Sequence, residues 1–367
     1  MFPMQTRVIS LGTLALGGLL HHLPASEVAF PGADWERVAP ATEGMDAALL
    51  DQAAQVFGEA CGKDGSGEII IVRNGRIVWQ GDRIDAVHPI WSCTKTFTST
   101  CLGLLWDDGL CTPDTKVITV VPEIGEAYAD ITLRHLATFT AGFDAEKGVL
   151  NVKPPLHPPG AAIHYGIQTH LLALALTRIA KEDLRTLWMR RIGTPIGIAE
   201  ADLDWGLQDL PDEPIPVRGG TGGPPAVVSI PAHAFARFIW LFAQNGVWNG
   251  QRLLSARYLT ELATIQVAAD VPPHDAKAWY TVLPGRYGLN CWVNGPNAAG
   301  EMLWNHLPPG CFAAQGNRNN IGIAVPTWNL AIIRLGTDPA RPVEGYDAAF
   351  GLLKASMIKG GSLGTAP

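Results

Sequence analysis

Ser92 and Lys95 stand three residues apart in Ser92-Cys93-Thr94-Lys95. On a helix of about 3.6 residues per turn, that spacing puts a hydroxyl and an amine on one face, within side-chain reach. A nucleophile beside a base is the minimum equipment for covalent acyl transfer. The S-x-x-K tetrapeptide alone is a weak signal, because Ser356-Met357-Ile358-Lys359 has the same form. That copy runs into Gly360-Gly361-Ser362-Leu363-Gly364, whose G-x-S-x-G pattern lacks the strand and helix of a nucleophile elbow. Both tail matches read as coincidences.

The element that must position Ser92 is legible in the following residues. Phe97, Cys101, Leu104 and Leu105 recur at i, i+4, i+7 and i+8, the apolar stripe of a helix packed on a core. Asp107-Asp108-Gly109 ends the pattern, with Gly109 as the expected C-cap. Ser92 then lies at a helix N-terminus, where backbone N–H groups favour negative charge. A plainer reading stands beside the catalytic one: Ser92 as an N-cap only, and Lys95 as a surface lysine.

The whole chain sets limits. Its 367 residues can bury a large core in one complex domain or two closely packed ones. A hydrophobic content of 47% and a charged content of 17% describe a globular protein. A net charge of −7 without a basic run argues against nucleic acid or an anionic membrane as partner. The ten histidines and six cysteines show no H-E-x-x-H, C-x-x-C or zinc spacing, so neither a metal nor another cofactor is expected. Cys93 and Cys101, on the candidate helix, read as small buried hydrophobes. Arg7 followed by the apolar run Val8 to Leu20 resembles a secretory signal and is too short for a comfortable membrane span. Residues 1–25 are thus a signal segment with export, or an N-terminal helix docked on a cytoplasmic protein.

Glu68 to Arg73, Asn74-Gly75 and Arg76 to Gln80 predict a β-hairpin. Helices are expected over Thr169 to Ala180, Pro231 to Gln244 and Ala348 to Ile358. A second hairpin is expected from Asn320–Pro326 and Leu330–Leu335. Strands from both ends with helices between them fit an α/β architecture: a sheet domain from 35–90 and 260–360, and a mostly helical domain from 91–259. The groove between them is the natural pocket.

Several ordered segments resemble the β-lactamase-related serine hydrolases, which include class C β-lactamases, D,D-peptidases, family VIII carboxylesterases and 6-aminohexanoate-oligomer hydrolases. The resemblance runs from about residue 35 to 355. It covers the hairpin, the Ser92–Lys95 helix, Ile131 to Gly142, Pro158 to Tyr165 and Trp248 to Ser255. It implies a β-lactamase/transpeptidase-like fold, an antiparallel sheet flanked by helices plus a mostly helical domain. It also implies a catalytic set of Ser92 as nucleophile, Lys95 as its activating amine and Tyr165 as proton shuttle. Read alone, Tyr165 is equally an aromatic that packs after a Pro-Gly turn.

The family's third motif, a [KHW]-[ST]-G on an edge strand, corresponds to Ala314-Gln315-Gly316, and Gln315, Gly316 and Asn317 are the candidate oxyanion and substrate contacts. The resemblance implies that the N–H of Asn317 pairs with that of Ser92. Ala314 and Gln315 stand where the family's β-lactamases carry a cation and a hydroxyl. Ile167, in Tyr165-Gly166-Ile167, stands where an asparagine is usual, with Gln168 as a substitute amide. Trp91, Trp304 and His306 are candidate pocket walls, with the loops Ala145–Pro159 and Ala268–Arg286. The glycine-rich run Arg218–Gly223 resembles a family stretch and is not a phosphate loop. Because both partners of a β-lactam are altered, the expectation is a serine hydrolase of carboxylic esters with weak or no β-lactamase activity. An amidase or peptidase of the same fold, and a non-catalytic binding protein, are the alternatives.

Overall fold

The computed structural model describes residues 27–145, 148–220, 222–339 and 343–357. The Val8–Leu20 run and Lys359 lie outside these residues. The strands in chain order are β1 (Ile69–Arg73), β2 (Arg76–Gln80), β3 (His88–Pro89), β4 (Asp204–Trp205), β5 (Val228–Ile230), β6 (Val247–Trp248), β7 (Gln251–Arg252), β8 (Trp292–Val293), β9 (Phe312–Gly316), β10 (Asn320–Val325) and β11 (Leu330–Arg334). The helices are α1 (Ala47–Cys61), α2 (Thr94–Asp107), α3 (Leu133–Ala137), α4 (Gln168–Ala180), α5 (Leu184–Trp188), α6 (Ala232–Ala243), α7 (Ala256–Ala263) and α8 (Asp347–Ser356).

Six strands form one antiparallel sheet in the order β2-β1-β11-β10-β9-β8. Both expected hairpins are present. Asn74 and Gly75 take positive φ of 49° and 83°, the conformation a two-residue turn between right-twisted strands needs. The two ends of the chain meet where β1 pairs with β11, from Ile69↔Arg334 to Arg73↔Leu330. Alternation explains the unbroken apolar runs. Ile70, Val72 and Ile333 enter one core, while Ile69, Ile71 and Ile332 enter the other, so both faces are dry. Helices α1 and α8 pack on each other and cover the second face.

Helix α6 covers the first face, packing on β1, β10 and β11. Residues 232–243 therefore pack as a layer against the sheet. The cause is visible in the composition: every residue of α6 except His233 is buried, so this helix needs apolar neighbours on all sides. Phe235 and Phe238 face Phe97 of α2, which joins the sheet to the helical layer.

Helix α2 is buried all round from Thr94 to Leu105, beyond the single stripe its sequence suggests. Small hydroxyl residues make this tolerable by donating locally. Thr100 Oγ1 donates to the Thr96 carbonyl at 2.8 Å, and Thr96 Oγ1 donates to the Asn290 carbonyl at 3.0 Å. The C-terminus closes as expected. Gly109, at φ 73°, donates its N–H to Trp106 O, and Leu110 N–H reaches Leu105 O, the paired bonds of a Schellman cap.

Candidate active site

Ser92 sits in a 3-10 turn, Trp91–Cys93, that leads into α2. A three-stranded sheet, β3-β5-β4, fixes this entry. Ile90 N–H donates to the Val228 carbonyl, and Val228 N–H donates to Thr94 Oγ1, both at 2.9 Å. Trp91 takes φ 51°, a left-handed conformation that a bulky residue holds only when its surroundings impose it. The residue capping α2 is Cys93, and no side chain caps that end, so Ser92 is not an N-cap. Lys95 is 1% exposed and is no surface lysine.

The three chemistry-bearing side chains converge. Lys95 Nζ lies 2.7 Å from Ser92 Oγ, and the Tyr165 O–H donates to the same oxygen at 3.0 Å. Lys95 Nζ is also 4.7 Å from the centre of the Tyr165 ring. Desolvation holds the lysine's pKa well below its ordinary 10.5, against a smaller opposing influence of Cys93. Burial pushes the Tyr165 phenol above its ordinary 10.0, partly offset by the hydrogen bond to Ser92. Burial thus favours the uncharged form of both groups, an amine able to accept a proton and a phenol able to donate one.

Tyr165 comes from a loop, and its position depends on backbone bonds. His164 N–H donates to the Phe139 carbonyl at 2.8 Å, and Phe139, at φ 61°, stacks its ring 4.1 Å from that of Tyr165. Gln168 is fully buried, and its amide joins Ala141 N–H to the His164 carbonyl. It positions this loop, so the expectation of Gln168 as a substrate contact is corrected.

Strand β9 supplies the third side. β8 covers only Phe312 and Ala313, so Ala314–Gly316 run past it towards Ser92. A Cβ at Gly316 would strike the Ile90 carbonyl oxygen and lie 2.9 Å from Ser92 N, so only glycine permits this approach. Asn317 follows, exposed, at the start of the β9–β10 turn. Gln315 Oε1 is buried and has no hydrogen-bond partner among the described residues.

A family model described as Beta-lactamase matches residues 50–355. The chain belongs to that family. It is a family of serine hydrolases on a β-lactamase/transpeptidase-like fold. Among solved structures, a penicillin-binding protein homologue from Caulobacter crescentus aligns with a TM-score of 0.63 at 17% identity, covering 84% of this chain and 97% of that one. A family VIII carboxylesterase aligns at 0.61 and 19%, covering 83% and 98%. EstCE1, a hydrolase with promiscuous acyltransferase activity, aligns at 0.62 and 15%, covering 83% and 99%. No curated protein matches the sequence.

Against this family frame, other expected pocket walls divide. Trp91 lies beside Ser92. Trp304 is fully buried against Phe350 of α8, and His306 pairs with Asp347 of the same helix at 3.0 Å. Both belong to the packing of the sheet's far face, and neither lines the site. Ser356 ends α8 with its hydroxyl donating to Leu353 O, a structural role.

Gly222 and Trp279 come from the glycine-rich run and the Ala268–Arg286 loop that the sequence marked, whereas His170 carried no sequence signal. A Cβ at Gly222 would strike the Trp91 carbonyl and lie 2.7 Å from Ser92 Cα, so the glycine-rich run passes directly over the nucleophile. His170 is half-buried near Lys95, and burial lowers its pKa against a hydrogen bond with Gln208. Trp279 rests its ring 4.6 Å from that of Tyr165. All six cysteines are buried, and no disulfide joins them. Among the described residues no helix is long and apolar enough to cross a membrane, and no histidine, cysteine or carboxylate cluster is arranged for a metal.

Proposed function

We propose that the protein hydrolyses carboxylic esters through an acyl-enzyme on Ser92. The observation that carries this reading is the Ser92 hydroxyl held 2.7 Å from an amine whose charged form burial disfavours and 3.0 Å from a phenol whose protonated form burial favours. Ser92 gives its proton to Lys95 Nζ as its oxygen bonds to the ester carbonyl carbon. The N–H groups of Ser92 and Asn317 take the developing oxyanion, and Gly316 permits their approach. As the carbon–alkoxide bond breaks, Tyr165 protonates the leaving oxygen and is itself reprotonated by the Lys95 ammonium. Water then enters, loses a proton through the same pair and releases the acid, which restores Ser92.

Esters are favoured over β-lactams because Ala314 offers no cation and Ile167 no amide to the ligand's carboxylate and side-chain amide. A second reading has one observation in its favour. Arg318, next to Asn317, holds its guanidinium 5.9 Å from the centre of the Trp91 ring. It could meet a substrate carboxylate from a different direction, which suits an amide or short peptide with a free carboxylate.

Intact mass after mixing with p-nitrophenyl acetate, and separately with nitrocefin, separates these readings. The expected result is a transient acetyl adduct on Ser92, lost in Ser92→Ala, with slow or no nitrocefin opening. Rapid nitrocefin turnover that falls in Arg318→Ala would favour the second reading. Full ester turnover by Ser92→Ala would remove Ser92 from the chemistry.

A further inference from the structure

The large apolar side chains exposed among the described residues are Val87, Leu110, Leu207, Ile265 and Trp279, and only the last is aromatic. Trp279 is 59% exposed, and its indole stands at 70° to the Tyr165 ring, edge to face, with centres 4.6 Å apart. Tyr165 also packs against Phe139, whose ring is buried. The tyrosine is therefore in contact with one buried and one open aromatic.

Trp279 is held in place by the segment that carries it. Ile163 N–H donates to the Pro272 carbonyl at 3.0 Å, and His274 N–H donates back to the Ile163 carbonyl at 2.8 Å. The stretch leading into Tyr165 and the stretch leading into Trp279 are thus bonded side by side, which keeps the two rings in register. Further along, Gly285 N–H donates to the Val267 carbonyl at 2.8 Å and closes the base of the loop.

The role of Tyr165 fixes what this open indole faces. The group that protonates the leaving oxygen must stand beside the alcohol half of the ester, not the acyl half. An aromatic surface against that phenol therefore borders the alcohol. We propose that Trp279 is the specificity-determining wall for the leaving group and selects esters of apolar, flat alcohols, benzyl or aryl above small alkyl. This rests on the ester-hydrolase reading and extends it to one half of the substrate.

The test uses acetate esters, so that the acyl-enzyme is the same throughout while the alcohol varies from methyl through butyl to benzyl and naphthylmethyl. Wild type is compared with Trp279→Ala and Trp279→Phe. The expected result is a fall of about tenfold in the ratio of kcat/KM for benzyl over methyl acetate in Trp279→Ala, the scale of one lost aromatic contact. Trp279→Phe should keep most of that ratio. Decay of the acetyl adduct on Ser92 should be the same in all three proteins, because the alcohol has already left. An equal loss across all alcohols would overturn the proposal, since Trp279 would then act by holding Tyr165. So would a slowed decay of the adduct, which would put the indole on the acyl side. A wild type that forms no Ser92 adduct with any of the esters would instead overturn the underlying ester reading, and the proposal with it.

Discussion

At Lys95 burial favours the base over the charge. The amine is buried beside Ser92 Oγ, and desolvation lowers its pKa well below 10.5. The consequence for rate is a kcat/KM that rises with pH through the folded-state pKa of Lys95 and is level before a free lysine would deprotonate. Tyr165, raised above 10.0, keeps its proton across that plateau. Stability follows the same group. Between its folded and unfolded pKa values the unfolded chain binds more protons, so stability rises with pH across that window, up to about 10.5. Lys95→Met should remove both dependences and lower kcat/KM by about 10²- to 10⁴-fold, the usual contribution of a positioned base. Circular dichroism and melting at neutral pH should remain those of a folded protein. A methionine variant with the wild-type pH–rate profile would take Lys95 out of the reaction, and one that fails to fold would make it a structural residue.

Between elements, the decisive contact is β9 against the entry to α2. Gly316 allows that approach and no other residue would, because a Cβ there strikes the Ile90 carbonyl and crowds Ser92 N. Gly316→Ala should force strand and helix start apart by about an ångström, because the Cβ would lie 2.2 Å from a backbone oxygen. Its expected signature is a fall in kcat of about 10²-fold, because an oxyanion donor is displaced. The accompanying stability loss should be at least about 1–3 kcal/mol by urea denaturation, because the atoms struck are backbone. Equal kcat in the alanine variant would show that the oxyanion is held elsewhere. This contact also marks where the sequence stops being readable. Ser92 and Lys95 could be singled out from local sequence, because their spacing coincides with the apolar stripe of the helix that follows, which the Ser356–Lys359 copy lacks. Tyr165 had no such signal and was legible only through resemblance of the surrounding segment. Trp279, Gly222 and His170 reach the site through loops or through the packing of separate elements, where no periodicity records what they will touch. The stripe on α2 was underestimated for a related reason: threonines read as polar, yet in a helix they bond their own backbone and can be buried.

Across the whole molecule, the sheet that carries the site is assembled from both ends of the chain, and a buried ion pair closes it. Arg334 ends β11 at 0% side-chain exposure and meets Asp338, at 1%, with Nη2 2.6 Å from Oδ2. Its Nη1 donates to the carbonyl of Arg318 at 2.9 Å, within the β9–β10 turn that begins at Asn317. The same Asp338 oxygen accepts from Asp64 N–H at 3.0 Å, just beyond α1. Three distant segments thus meet on one pair, and the turn bearing the proposed oxyanion donor is one of them. A buried pair of this kind is weak evidence for net stabilisation, but removing Asp338 leaves the buried Arg334 with only the more distant charge of Asp64. Asp338→Ala should therefore cost about 3–5 kcal/mol in urea denaturation. Replacing both partners with apolar residues, as in Arg334→Met with Asp338→Leu, should cost less than the single change, because no charge is stranded. The effect on catalysis should run the other way. In the double variant the Arg318 carbonyl has lost its donor, so the turn is released and kcat should fall although most of the stability returns. A double variant with wild-type kcat would separate the pair from the site and leave it as a clamp on the fold alone.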